Sequence, residues 1–133
     1  MQSEIISETL RKCQLFAGLS DEELNPIVEL AKVEEYKKGD IIYEQGHFGT
    51  KLYCLSKGQV SLLRRIGLSD GTTATSTVYI LRQTRRRRIM GCWCTLLGEN
   101  HIQMCSAKCD KPSRVVSMAC SDLSKVFHKN PGM

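Results

Sequence analysis

The chain has 133 residues, of which 41% are hydrophobic and 25% are charged, and its formal net charge is +5. This is the size and composition of one globular domain with a core of its own. No apolar run approaches the roughly 18 residues of a membrane helix, and the seven cysteines are odd in number and irregularly spaced, so we expect a cytoplasmic protein with reduced thiols.

The charge is unevenly distributed along the chain. Residues 70–133 contain ten Lys or Arg and four Asp or Glu, whereas residues 1–69 contain nine and ten. A basic half can face an anionic ligand or nucleic acid, although a solvated surface has the same composition.

The first thirty residues carry two helical patterns. Apolar residues recur at helical spacing over Glu4–Gln14 and predict an amphipathic helix. Ser20 followed by Glu23 is a capping-box pattern, which predicts a second helix running to about Ala31. Because Pro26 lies within it, we expect the first turn of this helix to be irregular.

From residue 33 the hydrophobic period changes towards two, which is typical of strands. Glycines at 39, 46, 58 and 71 lie where strand patterns stop, and glycine tolerates the positive φ of tight turns. The predicted strands are Val33–Tyr36, Ile41–Glu44, Lys51–Ser56, Gln59–Arg65, Thr72–Leu81, Ile89–Met90, Ile102–Cys109 and Ser113–Ala119.

The remaining segments complete the predicted fold. Gly91–Asn100 indicates a turn with a short helix, and Ser121 is a candidate cap for a short helix over Asp122–His128. The predicted fold class is mainly β: an antiparallel double-stranded β-helix (jelly roll) with N-terminal helices and a short C-terminal helix, forming one domain over residues 1–133.

Several of these segments resemble one known domain. They are Leu15–Ser20, the turns at Gly39–Ile42 and Glu44–Gly46, and Leu52-Tyr53 followed by Lys57–Val60. Together they resemble the cyclic-nucleotide-binding domain of the Crp/Fnr (catabolite activator-like) family, over nearly the whole chain. The resemblance implies a regulatory, effector-sensing domain that signals through its C-terminal hinge helix. It also implies a homodimer through a continuing C-terminal helix, and DNA binding only through a domain not present here.

The ligand-binding element of that family is a phosphate-binding cassette, in which a Gly-Glu pair opens a short helix and an Arg-Ser/Thr-Ala run enters the next strand. Helix N-terminal amides and a guanidinium suit a cyclic phosphate. The residues matching this cassette are Gly91, Cys92, Trp93, Cys94, Cys105, Ser106 and Ala107. The glutamate position holds Cys92, or Trp93 on a one-residue shift, and the arginine position holds Cys105, or Met104 on the same shift.

This degenerate cassette changes the expected ligand. Losing a buried, hydrogen-bonded charge partner costs about 2–5 kcal/mol, so tight binding of cyclic AMP in the usual manner is not expected. Family members with such cassettes use a different effector or none. No cofactor is required, and a cyclic nucleotide or another small anionic effector remains the candidate ligand. Just before the cassette, Arg85, Arg86, Arg87 and Arg88 are candidate anion contacts, although a hairpin tip of this kind is more simply solvated.

Sulfur and imidazole groups also cluster around the cassette. Thiolates and imidazoles are soft ligands for zinc or iron, but buried cysteine also packs as a small hydrophobe. The spacing matches no zinc ribbon or ferredoxin, so we predict no metal site. The candidates for a metal or redox role are Cys92, Cys94, His101, Cys105 and Cys109.

The sequence contains no catalytic motif. A Ser/Cys–His–acid arrangement, an HExxH motif and a P-loop lysine motif are all missing. We therefore expect a regulatory sensor domain rather than an enzyme. The alternatives are a ligand-free structural or dimerisation version of the domain, and a cysteine-based redox or metal sensor.

Overall fold

The computed structural model describes residues 2–13, 16, 18–82, 84, 89–91 and 103–129. Its helices are α1 (Gln2–Arg11), α2 (Asp21–Leu30) and α3 (Cys120–Lys129). Its strands are β1 (Lys32–Tyr36), β2 (Ile41–Tyr43), β3 (Lys51–Lys57), β4 (Gln59–Gly67), β5 (Thr73–Arg82), β6 (Ile89–Gly91), β7 (Ser106–Cys109) and β8 (Ser113–Ala119). Within the described residues no helix is long and apolar enough to cross a membrane.

The strands form two four-stranded sheets, ordered β1-β8-β3-β6 and β2-β7-β4-β5. All the strand pairs of the two sheets are antiparallel. Most strands that follow each other in the chain lie in different sheets, which is the arrangement of a jelly roll. The mainly β fold class predicted from the sequence is confirmed.

The first of these sheets is buried on both faces. Along β3, Leu52 and Cys54 pack with the helices, whereas Tyr53 and Leu55 point between the two sheets. Side chains alternate across a strand, so two-sided burial requires an uninterrupted apolar run, and all four residues are buried. The helices therefore cover the outer face of this sheet, and its inner face lines the barrel interior.

Helix α2 begins as the sequence predicts but is more regular. The Ser20 hydroxyl accepts from the Glu23 N–H at 3.3 Å, and the Glu23 carboxylate accepts from the Ser20 N–H at 3.0 Å. The expected irregular first turn was wrong, because the helix is continuous with Pro26 inside it. Pro26 removes only the bond to the carbonyl of Glu22, an exposed first-turn residue.

Three further boundaries differ from the prediction. Helix α1 lies two to three residues earlier than Glu4–Gln14. Strand β7 begins at Ser106 rather than Ile102, because Gln103 pairs instead with the turn at Gly46–His47. Helix α3 begins at Cys120, ahead of the predicted Ser121 cap, because β8 passes directly into it.

Close backbone packing at one turn gives the first testable prediction. Gly58 joins β3 to β4 with φ +104°, and a Cβ there would lie 2.7 Å from the Pro112 carbonyl oxygen and 2.8 Å from the Ser113 Cα. We expect Gly58→Ala to lower the free energy of unfolding by about 3 kcal/mol or more, because strain and overlap add. Chemical denaturation measures this change.

Gly46→Ala is the matched control for the turn. Gly46 has a similar φ of +90°, but nothing lies within 4 Å of the added Cβ. This substitution carries only the backbone strain, about 1–2 kcal/mol. Equal losses of stability in the two variants would contradict the close approach at Gly58.

Candidate functional site

The structure places Gly91 where the chain leaves the first sheet. Gly91 ends β6 opposite Leu52, and its φ is +112°. A Cβ at this position would lie 2.5 Å from the carbonyl oxygen of Lys51. Glycine is therefore required here twice over, by the positive φ and by the backbone packed against it. The segment that follows begins at a rigid point on the sheet.

The chain returns to the second sheet at Gln103–Ala107. The Ser106 hydroxyl accepts from the backbone N–H of Gln45 at 2.9 Å, while Ala107 is fully buried opposite Leu62 and Tyr43. Cys105, at the predicted arginine position, is half-buried. The cassette segment thus runs from one sheet to the other, with both ends anchored by backbone pairing.

Other predicted site residues fall outside the described part of the chain. These are Cys92, Trp93, Cys94 and His101, together with Arg85, Arg86, Arg87 and Arg88. Their roles remain predictions. The structure does describe Gly91, Cys105, Ser106 and Ala107, at the two ends of the cassette segment.

Aromatic side chains line the barrel interior. The rings of Tyr43 and Tyr53 stack with centroids 5.7 Å apart and planes inclined by 21°. Tyr36, Leu62 and Tyr79 are partly buried against the same interior cluster. Tyr43 also pairs with Ala107, so the stacked rings begin next to the cassette's return strand. A flat apolar ligand would find a matching surface there.

A carboxylate also enters this interior, and the sequence pattern did not single it out. Glu34 Oε1 accepts from the Tyr36 hydroxyl at 3.0 Å. Its other oxygen, Oε2, is buried with no hydrogen-bond partner among the described residues. Buried acceptors are normally paired, so this oxygen is a candidate contact for a hydrogen-bond donor. Val33 packs on the helices, and side chains alternate along β1, so Glu34 points to the interior face. This alternation was the sequence signal that could have identified Glu34.

Gln45 was also missed by the sequence reasoning. Its side chain accepts from Arg65 N at 2.7 Å and donates to Arg65 O at 3.2 Å, in addition to the backbone bond to Ser106. It therefore ties the turn after β2 to both β4 and the cassette's return strand. A glutamine in a turn has no distinguishing pattern, so only the tertiary contacts show this role.

The described cysteines behave mainly as packing residues. Cys13, Cys54 and Cys120 are fully buried and Cys109 is 1% exposed. Burial raises the pKa of the Cys109 thiol, although its hydrogen bond with Ser113 acts in the opposite direction. A thiol with a raised pKa is a poor nucleophile and metal ligand. In the described ranges no three His, Cys, Asp or Glu residues are grouped to hold a metal ion.

The cassette entrance and helix α3 meet on the same strand. Leu52 of β3 pairs with Gly91 on one side and with Met118 on the other. Lys51, which precedes Leu52, pairs with Ala119, the last residue of β8. Helix α3 starts at the next residue, Cys120, whose N–H donates to the Thr50 carbonyl at 3.0 Å. Two residues of β3 therefore connect the start of the cassette with the start of α3.

Comparison with solved structures identifies the fold. The regulatory domain of Toxoplasma gondii PKA with cAMP has a TM-score of 0.78 at 13% identity, covering 95% of this chain and 45% of that one. The Thermus thermophilus catabolite activator protein has a TM-score of 0.68 at 25% identity, covering 88% and 51%. The regulatory subunit of a cAMP-independent protein kinase A from Trypanosoma cruzi, bound to guanosine, has a TM-score of 0.75 at 18% identity, covering 96% and 42%.

The chain therefore has the cyclic-nucleotide-binding domain fold, and the Toxoplasma and Trypanosoma structures that share it are a regulatory domain and a regulatory subunit. No protein-family model matches the sequence. Human cGMP-dependent protein kinase 2 is 36% identical over 53 residues, which are 40% of this chain and 7% of that protein. The match covers only a small part of the kinase's length.

The buried tyrosines predict how stability depends on pH. Burial and the neighbouring Glu34 carboxylate raise the pKa of Tyr36, and burial raises that of Tyr53. Above about pH 10 the unfolded phenols lose protons that the folded ones keep, so stability falls as pH rises. We expect Tyr36→Phe to flatten this fall between about pH 9 and pH 11.

Denaturant unfolding at each pH measures this dependence, and the ultraviolet absorbance of tyrosinate shows when the phenols ionise. The Tyr36→Phe variant removes one ionising group while keeping the buried ring. Parallel stability curves for the wild type and Tyr36→Phe would contradict the assignment.

Proposed function

We propose that this chain is the effector-sensing regulatory domain of a longer protein, and that it binds a small planar or anionic effector between the barrel interior and the cassette segment. The observation that supports it best is the double pairing of Leu52 with Gly91 and Met118. Because this strand borders both the cassette entrance and the strand that becomes α3, an effector that tightens the cassette would also bias the position of α3.

The output of the domain is helix α3. Leu123 is fully buried in the apolar cluster between the helices and the first sheet, and the helix lies against α2 and β8, so it is held by apolar packing. A ligand shifts such an element only if it binds one arrangement more tightly than the other. In our proposal the effector-bound cassette favours one packing of α3, and the segment that follows α3 reads the change.

The effector is nucleotide-like, but its phosphate lacks the usual guanidinium contact. The position where the family cassette carries arginine holds Cys105, or Met104 on a one-residue shift, and neither side chain has a guanidinium to offer to a phosphate. The stacked Tyr43 and Tyr53 rings favour a flat base, and Glu34 Oε2 offers an acceptor inside the barrel. The Trypanosoma neighbour, which is bound to guanosine, shows that the fold accepts a nucleoside without a phosphate. Recognition through the base rather than the phosphate is therefore part of the proposal.

Restoring the arginine tests the cassette assignment. We expect Cys105→Arg to tighten binding of cyclic AMP or cyclic GMP by about tenfold or more, because a charge partner in such a site is worth several kcal/mol. Val78→Arg is the matched control: it adds the same charge on β5, outside the cassette, at a position that is already 57% exposed, and should change affinity less than about threefold. Isothermal titration calorimetry with each nucleotide measures the affinities.

Hydrogen exchange tests the output step in the same samples. Guanosine, cyclic AMP and cyclic GMP are added separately to the wild-type chain, and exchange is followed in α3. The proposal expects at least one of them to change the protection of Cys120–Lys129. It is wrong if none of these ligands binds the wild type or Cys105→Arg, and its signalling step is wrong if a ligand binds without altering α3.

A further inference from the structure

A second surface lies at the opposite end of the barrel from Gly91 and α3. Two grooves flank the turn between β3 and β4, on either side of Lys57 and Gly58. The larger, of about 410 Å³, is lined by Glu35, Tyr36, Lys37, Lys57, Pro112, Ser113 and Arg114. The smaller, of about 270 Å³, is lined by Gly58, Gln59, Arg82, Thr84 and Lys111. The two grooves are lined by neighbouring residues of the same two turns, Lys57 with Gly58 and Lys111 with Pro112, and we call the pair of grooves the turn groove.

The turn groove is strongly basic. Its cations come from five different places in the sequence: Lys37, Lys57, Arg82, Lys111 and Arg114. In the sequence, Arg82 and Arg114 are isolated from the other candidate contacts. Only folding brings the five cations to one end of the barrel. The lining contains one carboxylate, that of Glu35.

Most of these cations have no close acidic partner among the described residues. Arg114 is the exception, because it lies opposite Glu35 across the sheet and helps to lower the pKa of the Glu8 carboxylate. None of the five cations takes part in an ion pair among the described residues. Nearby acids have other partners: Asp110 accepts from Gln59 Nε2 at 3.0 Å and from the Ser61 hydroxyl, and Asp40 accepts from the Lys37 backbone N–H at 2.8 Å. Arg114 donates to the Ser56 hydroxyl at 3.3 Å.

The groove is also preformed. The Gly58 backbone packs directly on Pro112 and Ser113, and the Ser113 hydroxyl bridges the Gln59 backbone N–H and the Lys111 carbonyl at 3.3 and 2.8 Å. The turns that carry Lys57 and Lys111 are thus joined to each other. A rigid site loses less conformational entropy on binding than a flexible lysine-rich surface does.

We propose that the turn groove docks an extended acidic peptide segment of a partner protein. Alternate side chains of an extended strand lie about 6.6 Å apart on one face, so successive carboxylates along the peptide address cations on both sides of the turn. Tyr36 and Pro112 give the peptide apolar contact between the charges. The five cations of this docking surface are not part of the proposed effector site, although Tyr36 contributes to both, and docking would bring the sensor domain to the protein it regulates.

The shape of the groove favours a peptide over other polyanions. A lipid surface is planar and contacts protruding lysines rather than concave grooves. Binding of single-stranded nucleic acid relies on stacking platforms, and Tyr36 is the one aromatic residue among the described lining residues. Its hydroxyl is already bonded to Glu34, and its ring is partly buried in the barrel interior.

Fluorescence anisotropy of a labelled peptide of alternating glutamate and serine tests the proposal on the full chain. We expect binding at about 50 mM salt that weakens as salt rises to about 150 mM, because the charges are exposed and therefore screened. The double variant Lys57→Glu, Lys111→Glu should lose affinity by about tenfold or more. Both side chains are exposed, so the variant is expected to fold.

The matched control reverses two exposed lysines elsewhere, Lys32→Glu with Lys125→Glu, and so has the same net charge. Its affinity should change less than about twofold. Equal losses in the two double variants would mean a general charge effect and would overturn the proposal, as would a wild type that does not bind the peptide. It would also be overturned if a labelled oligothymidine bound more tightly than the peptide with the same sensitivity to Lys57 and Lys111.

The readouts separate this proposal from the function proposed for the cassette. The double variant Lys57→Glu, Lys111→Glu should keep the wild-type response of α3 to nucleosides and nucleotides. Loss of peptide binding with that response intact supports the docking surface. Failure of every nucleotide to bind would refute only the effector site.

Discussion

The fold depends on the burial of both faces of strand β3. Leu52 and Cys54 supply the core under the helices, while Tyr53 and Leu55 supply the barrel interior. The strand has no exposed face along these four residues, so neither core can be rearranged without disturbing the other. Its backbone is paired on both edges as well, with β6 and with β8. Packed layers of this kind move as discrete units rather than deforming continuously, which is what a two-state regulatory domain needs.

The pairing of β3 on both edges connects the cassette entrance with helix α3, although these two segments are distant in sequence. The cassette leaves the sheet at Gly91 and α3 leaves it after Ala119, and both are paired to β3 within two residues. A jelly roll places these segments side by side although 28 residues separate them in the numbering. The barrel interior between the sheets then offers an aromatic wall and one buried acceptor on Glu34. In our proposal this lining favours recognition of a base over recognition of a phosphate.

The two ends of the barrel carry different chemistry. The end with Gly91 and α3 joins the entrance of the cassette segment to the last helix through β3. The end with Gly58 is basic, and its rigidity comes from backbone packing between two turns. A domain with an effector site at one end and a charged docking surface at the other can be placed on a partner without blocking its own ligand.

Much of the architecture follows from local patterns in the chain. The capping box of Ser20 and Glu23, the glycine turns at 39, 46, 58 and 71, and the period-two runs between them were sufficient for the helices, the strands and the fold class. These features are determined by neighbours within a few residues, and local sequence therefore encodes them directly. At the start of β7 a tertiary contact overrode the pattern: Gln103 pairs with the turn at residues 46–47 instead of extending the strand.

Other properties were decided only by the tertiary structure. The interior carboxylate of Glu34, the bridge from Gln45 to Arg65, and the gathering of Lys37, Arg82 and Arg114 at one end of the barrel join residues that are remote in sequence. Nothing local marks these residues, because an exposed lysine and a groove-lining lysine have the same sequence signal. The sequence alone therefore determined the fold class, whereas the strand pairing determined which charges and acceptors meet.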